Sequence, residues 1–374
     1  MFLINLLKNN YFITKILILF LFIKLLLYKK IKYENLIMKN ILNKNKKKLI
    51  ELPKDLNHPL ILKEKSDILK YISKSVGREV TYVNSIYLQK RLGFGNQVMV
   101  ISKGIFYCEI LGCRKIILDK NTYWFFKKYL FYRKFRILIK SDDKKNYNNT
   151  GIIIDNTFNL FYYTNYIKPE FRTNIIRNEI INNFPKVNVD PNDLYIYIRS
   201  GDIFRIAHPS YSQPPYCFYE NILENFKFNQ INIISENKNN PVINKIIKNF
   251  PYVNFSQKSF KYDISYLSNS YNIVGATSTF LYCAIRLNKN LRNIWEFDLQ
   301  RNLTGTNEKT HIENAAEFSF NFYSYKKSNK KIKIYKMITS DNYKKIMFFW
   351  NNSKVQINLM LNHKCNNNFT VIYY

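Results

Sequence analysis

LYIYIRSGDIF, Leu194–Phe204, is the stretch whose reading decides the fold. Its first five residues, Leu194, Tyr195, Ile196, Tyr197 and Ile198, form a nearly continuous β-prone run. That pattern predicts a strand covered on both faces within a parallel sheet. Polarity inverts at Arg199. Arg199, Ser200, Gly201 and Asp202 then fall at the carboxyl end of the strand, where open α/β sheets place their ligand crevices. An arginine there can fork two N–H donors onto an oxyanion, Gly201 lets backbone approach it, and Asp202 can hold the arginine or a hydroxyl. The plainer alternative is a strand-to-loop turn with a surface ion pair.

Downstream the alternation is regular. Pro214 and Pro215 open a helix to about Phe226. Ile231–Ser235 reads as a strand, Pro241–Asn249 as a helix, Tyr252–Phe255 as a short strand and Asp263–Ser270 as a helix. Asn272–Ala276 (strand), Ser278–Leu287 (helix) and Asn293–Phe297 (strand) follow. This is a doubly wound α/β domain. Beyond Arg301 the alternation fails, and the tail is aromatic, basic and Asn-rich. Upstream, a β-prone run over Glu79–Tyr87 leads into RLGFGNQ, Arg91–Gln97. A helical pattern follows with Val98, Ile101, Ile105, Cys108 and Leu111 on one face, Gly112 as its cap and Lys115–Asp119 as the next strand. A glycine turn at a strand–helix junction points N–H groups at an anion. Gly93 and Gly95 lack the third glycine of a dinucleotide fingerprint, so a nicotinamide site is not supported.

Composition narrows the classes. The 374 residues, 47% of them hydrophobic, suffice for two domains with cores. The formal charge of +32 would suit nucleic acid. The lysines, however, are scattered, Asn, Ile, Tyr and Phe are inflated with them, and no RNA-binding or helix-turn-helix pattern accompanies them, so nucleic acid is not an expected partner. Cys108, Cys113, Cys217, Cys283 and Cys365 show no CxxC spacing, which argues against zinc. Buried thiols are the default for Cys108, Cys217 and Cys283, and disulfides are allowed but not indicated. Asp142-Asp143, the one adjacent acidic pair near the region, sits in the polar run Ser141–Thr150 rather than at a strand end, so no metal is expected.

Residues Tyr11–Tyr28 are the most apolar stretch and read as one transmembrane signal-anchor, with Lys15 and Lys24 snorkelling near its ends; the alternative is an amphipathic or cleaved N-terminal segment. The expected layout is a tail and anchor over 1–30, a charged stem or linker over 31–78, a Rossmann-like domain over 79–188, a second over 189–305 and an extension of unassigned role over 306–374.

Three stretches fall at the carboxyl ends of predicted strands: GFGNQ, RSGD and GATSTF (Gly275–Phe280). In the last, the hydroxyls of Thr277, Ser278 and Thr279 and the N–H groups of the helix they open would bind a phosphate oxygen. A plain serine N-cap is the alternative for that motif alone.

Taken together, these motifs resemble the fucosyltransferase superfamily, which covers α-1,2- and α-1,6-fucosyltransferases and protein O-fucosyltransferases. The family's G-x-GNQ is matched by Gly93, Gly95, Asn96 and Gln97, and its H-x-R-x-G-D by Tyr197, Arg199, Gly201 and Asp202. Its later D…L…IV…S-S-T-F pattern is matched by Asp263, Leu267, Ile273, Val274, Ser278, Thr279 and Phe280. The likeness spans about Tyr87–Asp298 and is nearest the α-1,2 (glycosyltransferase family 11-like) type. Tyr197 stands where the family has histidine. The resemblance implies a GT-B fold of two Rossmann-like domains facing a cleft, a GDP-fucose donor, a glycan or glycoprotein acceptor, inversion at the anomeric carbon, no required metal and a Golgi or other secretory membrane with the catalytic domain lumenal. Arg199 and Asp202 would be catalytic. Donor binding would fall to Gly95, Asn96, Gln97, Ser200, Gly201, Ser235, Glu236, Asp263, Thr277, Ser278 and Thr279. For the base that deprotonates the acceptor, Asp202, His208 and Asp119 are candidates. The expected alternatives are a transferase for another nucleotide sugar, an inactive sugar- or nucleotide-binding relative, and a basic membrane-tethered scaffold.

Overall fold

The structure is a computed structural model that describes residues 57–77, 79–88, 93–119, 125, 130–132, 135–140, 151–153, 173–205, 211–255, 257–276, 278–299, 332–347, 349–366 and 368–373. Two largely parallel sheets organise it. The first, of five strands in the order β3-β4-β2-β1-β5, contains β1 (Ser85–Leu88), β2 (Lys115–Asp119), β3 (Leu130–Tyr132), β4 (Phe135–Lys140) and β5 (Gly151–Ile153). Only the β3–β4 edge is antiparallel. The second has seven strands: β6 (Leu194–Tyr197), β7 (Ile231–Ile234), β8 (Val253–Phe255), β9 (Asn272–Val274), β10 (Asn293–Asp298), β11 (Lys333–Ile338) and β12 (Phe369–Tyr373). Its order, β12-β11-β10-β9-β6-β7-β8, is the doubly wound 3-2-1-4-5-6 arrangement counted from β6, with one antiparallel edge strand added. All four residues of β6 are buried, as its unbroken apolar run requires of a central parallel strand.

Helices cover both sheets: α1 (Pro59–Val76), α2 (Phe94–Leu111), α3 (Thr173–Ile181), α4 (Tyr216–Asn225), α5 (Pro241–Asn249), α6 (Phe260–Asn269), α7 (Thr279–Leu287), α8 (Asp341–Met347) and α9 (Lys354–Asn362). Among the described residues no helix is long and apolar enough to cross a membrane, and the expected anchor Tyr11–Tyr28 lies outside them.

Three expectations need correction. The stem assigned to 31–78 ends earlier, because α1 packs into the first core through Ile61, Ile68 and Ile72, which are buried. Its apolar positions are interspersed with Lys63, Lys65 and Lys70, so composition alone reads as linker. Pro59 in its first turn and Gly77 at φ 68 bound it as a folded helix. The second domain does not end at 305: β11 pairs in parallel with β10 and β12 closes the edge, so 332–373 completes the sheet. Finally, Cys108 pairs with Cys113 and Cys217 with Cys365, leaving Cys283 free and buried. The second bridge ties α4 to the chain just past α9 across 148 residues, a pairing that sequence spacing cannot disclose.

The two units are welded rather than hinged at one border. A single apolar cluster runs from Val98, Ile101 and Ile105 of α2 to Leu281, Ala284 and Ile285 of α7. Phe94, from the first unit, lies with its ring centroid 5.0 Å from that of Phe260 and 6.5 Å from that of Phe280, both from the second, in edge-on geometries that favour aromatic pairs. Arg177 of α3 donates through Nε to the Leu287 carbonyl at the end of α7.

Candidate functional site

In the second sheet the connections reverse direction between β6 and β9, which lie side by side. Ligand crevices form outside the carboxyl ends of strands at such a point. RSGD leaves β6 on one side and the segment leading to Ser278 leaves β9 on the other. They are joined across the gap by a hydrogen bond between the Tyr197 hydroxyl and Ser278 Oγ, 3.2 Å apart. Ser278 is the N-cap of α7, accepting from the Phe280 amide at 3.2 Å. Tyr197 therefore links two of the three motifs through an uncharged phenol. Burial pushes its pKa up to about 12, against the lowering effect of Ser278 and Arg199.

The third motif arrives from the first sheet. Gly95 is the second residue of α2, and a Cβ built there would lie 2.7 Å from the Phe280 amide nitrogen and nearer still to the Thr279 carbonyl. The N-termini of α2 and α7 thus converge, main chain against main chain, and both place the positive ends of their dipoles at the same junction. Asn96, on the first turn of α2, is half-buried with its Oδ1 enclosed and without a partner.

Arg199 is largely enclosed, its side chain 16% exposed. It donates to Asp202 Oδ2 at 3.0 Å and stacks 4.0 Å above the Tyr211 ring centroid, while the Tyr211 hydroxyl reaches the same carboxylate oxygen at 3.5 Å. Asp202 Oδ1 is buried without a partner. Gly201 sits at φ 64, a backbone that favours glycine, and a Cβ there would displace the Glu236 carboxylate, the movable end of its side chain.

Glu236, just past β7, closes a group of acids around Arg199. Burial raises its pKa, Asp202 adds to the rise and Arg199 opposes it. Asp263, on the first turn of α6, has its pKa pushed up to about 7, first by burial and further by Glu236, with Lys258 opposing. A carboxyl whose folded pKa stands above its ordinary 3.8 binds its proton more tightly in the native state. Its contribution is therefore complete below about pH 4 and is lost as pH rises to about 7. Asp263→Asn is expected to remove that loss, so that the variant gains on wild type progressively from pH 4 to 7 in thermal melts. A constant offset across that range would show that the carboxyl is not the titrating group.

Two residues expected to bind a donor are engaged elsewhere. Ser200 is buried, donates to Asn237 Oδ1 at 2.6 Å and accepts from the Asn240 amide at 3.0 Å, so it pins the loop after β7 to the start of α5. Ser235 likewise donates to the Asn237 carbonyl at 3.1 Å. Gln97 is buried in α2. Thr277 and His208, the side chain of Asp119, and Asp142-Asp143 lie outside the described residues. Tyr211 was not legible as a site residue, since nothing in its sequence neighbourhood ties it to Arg199 twelve positions earlier. Among the described residues, no three His, Cys, Asp or Glu side chains group as a metal site would need.

No family model matches the chain, and no curated protein matches it. Among solved structures, E. coli heptosyltransferase WaaC with ADP is similar at a TM-score of 0.33 and 10% identity, over 63% of this chain and 98% of that one. At that TM-score the likeness carries no argument about this chain.

Proposed function

We propose that this chain is an inverting glycosyltransferase of GT-B type that takes a nucleotide-sugar donor, GDP-fucose first among them, and transfers the sugar to a glycan hydroxyl. The observation that carries this reading is Arg199 at the switch point of the second sheet, with the N-terminus of α7 fixed beside it through Tyr197 and Ser278. Departure of a nucleoside diphosphate leaves negative charge on the leaving oxygen. A guanidinium and preorganised N–H groups are suited to take up that charge.

The other residues have consistent tasks in this reading. Asn96 presents an unsatisfied oxygen at the junction, where a sugar hydroxyl could donate to it. Glu236 and Asp263 supply acceptors for N–H groups of a base or hydroxyls of a ribose. Ser200 and Ser235 support the loop rather than touching the donor. The choice of fucose rests on the joint match of GFGNQ, RSGD and TSTF to fucosyltransferases; Arg199 and a helix start would serve any nucleoside diphosphate. In this reading Arg199 and the N-terminus of α7 are the groups assigned to the leaving diphosphate, and no metal is assigned a role.

The test is a thermal-shift series with GDP, UDP, ADP and their sugars. A ligand present at 100 times its dissociation constant adds about 2.7 kcal/mol. A response to GDP and GDP-fucose is expected. Stabilisation by UDP- or ADP-sugars alone would move the reading to another donor, and indifference to all of them would end it.

The two disulfides suit an oxidising setting, which supports a catalytic region in the secretory lumen; an anchor at Tyr11–Tyr28 is proposed from the sequence alone. In sealed microsomes the region from residue 57 onward should then resist added protease until detergent is present; digestion in intact vesicles would reverse the topology.

A further inference from the structure

The C-terminal unit had no role in the sequence, yet it grips the loop that follows Arg199 at both ends. On the near side, Trp350 donates through Nε1 to the Ile203 carbonyl at 2.6 Å, and Asn352 donates through Nδ2 to the Phe204 carbonyl at 3.0 Å. The Trp350 ring, fully buried, also meets Phe204 edge-on at 5.7 Å. On the far side, the Tyr343 hydroxyl donates to the Gln213 carbonyl at 2.8 Å, and Ser212 Oγ donates to the Met347 carbonyl. Between these ends lies Tyr211, the residue over which Arg199 stacks and which shares Asp202 with it. Backbone carbonyls of an irregular segment must find donors when buried. Here they come from a segment about 140 residues later, held in place by the Cys217–Cys365 bridge and by Lys245 donating to the Leu361 carbonyl at 2.7 Å.

We infer that Trp350 and Tyr343 form a positioning clamp, Trp350 holding Ile203 and Phe204 and Tyr343 holding Gln213, so that Asp202 and Tyr211 keep the Arg199 guanidinium aimed into the crevice. Its consequence for turnover rests on the glycosyltransferase reading; its consequence for the loop does not.

Two variants that keep an aromatic ring test it, one at each end: Trp350→Phe replaces the indole donor with a smaller phenyl and Tyr343→Phe removes the hydroxyl alone. Met360→Ala serves as the comparison, since Met360 is buried in α9 of the same unit, outside the loop clamp. Hydrogen exchange followed by mass spectrometry reads the loop directly. The Arg205 amide, bonded to the Asp202 carbonyl at 2.9 Å, should exchange roughly five- to tenfold faster in each clamp variant, the scale of one lost hydrogen bond. Turnover should fall about tenfold or more, with GDP affinity changed far less, because misaimed groups act chiefly on the transition state. Unchanged exchange at 203–205 and 211–213 in both variants overturns the clamp. So does a Met360→Ala protein that, at the same loss of melting temperature, exchanges as fast over those residues. If wild type binds no nucleotide, the functional reading fails while the exchange result still decides whether the clamp exists.

Discussion

Arg199→Ala is expected to lower turnover about a hundred- to a thousandfold while leaving the fold intact, the scale on which a single preorganised charge-stabilising donor acts. The fold should survive because Arg199 contributes no apolar core; its partner Asp202 is 45% exposed at the side chain and can be rehydrated. Charge builds on the leaving oxygen mainly in the transition state, so kcat should fall more than donor affinity does. Arg199→Lys should fail nearly as badly. An ammonium cannot reproduce a planar fork that bonds Asp202 at 3.0 Å while its Cζ sits over the Tyr211 ring at 4.0 Å. Ser278→Ala is milder for catalysis, since it removes one hydroxyl and leaves the amides of α7 in place, though the lost N-cap costs about 1 kcal/mol of stability. Steady-state kinetics with GDP-fucose, set beside GDP binding, separates these cases. An Arg199→Ala protein with normal turnover removes the basis of the proposal.

How much of this was readable in advance follows from how local each determinant is. The central strand was legible because four consecutive buried residues, Leu194–Tyr197, leave no polar alternation for a half-exposed strand. Helix α5 was legible to the residue, with Pro241 at its first position and Asn240 capping Val242 at 3.1 Å. The convergence of GFGNQ and TSTF was hinted at by motif order alone; that they touch main chain to main chain is a tertiary fact. What stayed hidden depended on distant partners. Ser200 looked like a free hydroxyl because Asn237 and Asn240, which engage it, lie 37 and 40 residues on. The tail looked like an appendage because β12 is an edge strand whose residues are mostly exposed, so burial imposed little pattern on it. Helix α1 reads as linker in the sequence because its buried isoleucines are interspersed with lysines.

Gly95→Ala offers the sharpest structural contrast, because Gly93, two residues earlier in the same motif, is free of the same constraint. A methyl group at Gly93 meets nothing within 4 Å and the residue has an ordinary φ of −57, so Gly93→Ala should change stability by no more than about 1 kcal/mol, the scale of an exchanged N-cap. At Gly95 the same methyl would collide with the Thr279 carbonyl and the Phe280 amide, which are main-chain atoms of a helix already fixed by Phe94, Phe260 and the Arg177 bond to Leu287. No rotamer change relieves that clash; α2 and α7 must move apart. Alanine recovers about 1 kcal/mol of intrinsic helix preference over glycine. Overpacking against a rigid neighbour costs about 1–3 kcal/mol and occasionally more. The clash involves backbone on both sides, so the cost should win and the melting temperature should fall. Separation of the two helix N-termini should also weaken their joint hold on a diphosphate, so GDP affinity is expected to drop about tenfold or more, one 1.4 kcal/mol step. Calorimetric titration of GDP into the two alanine variants checks this. Equal affinities for Gly93→Ala and Gly95→Ala would show that the junction of α2 with α7 is a packing contact with no part in nucleotide binding.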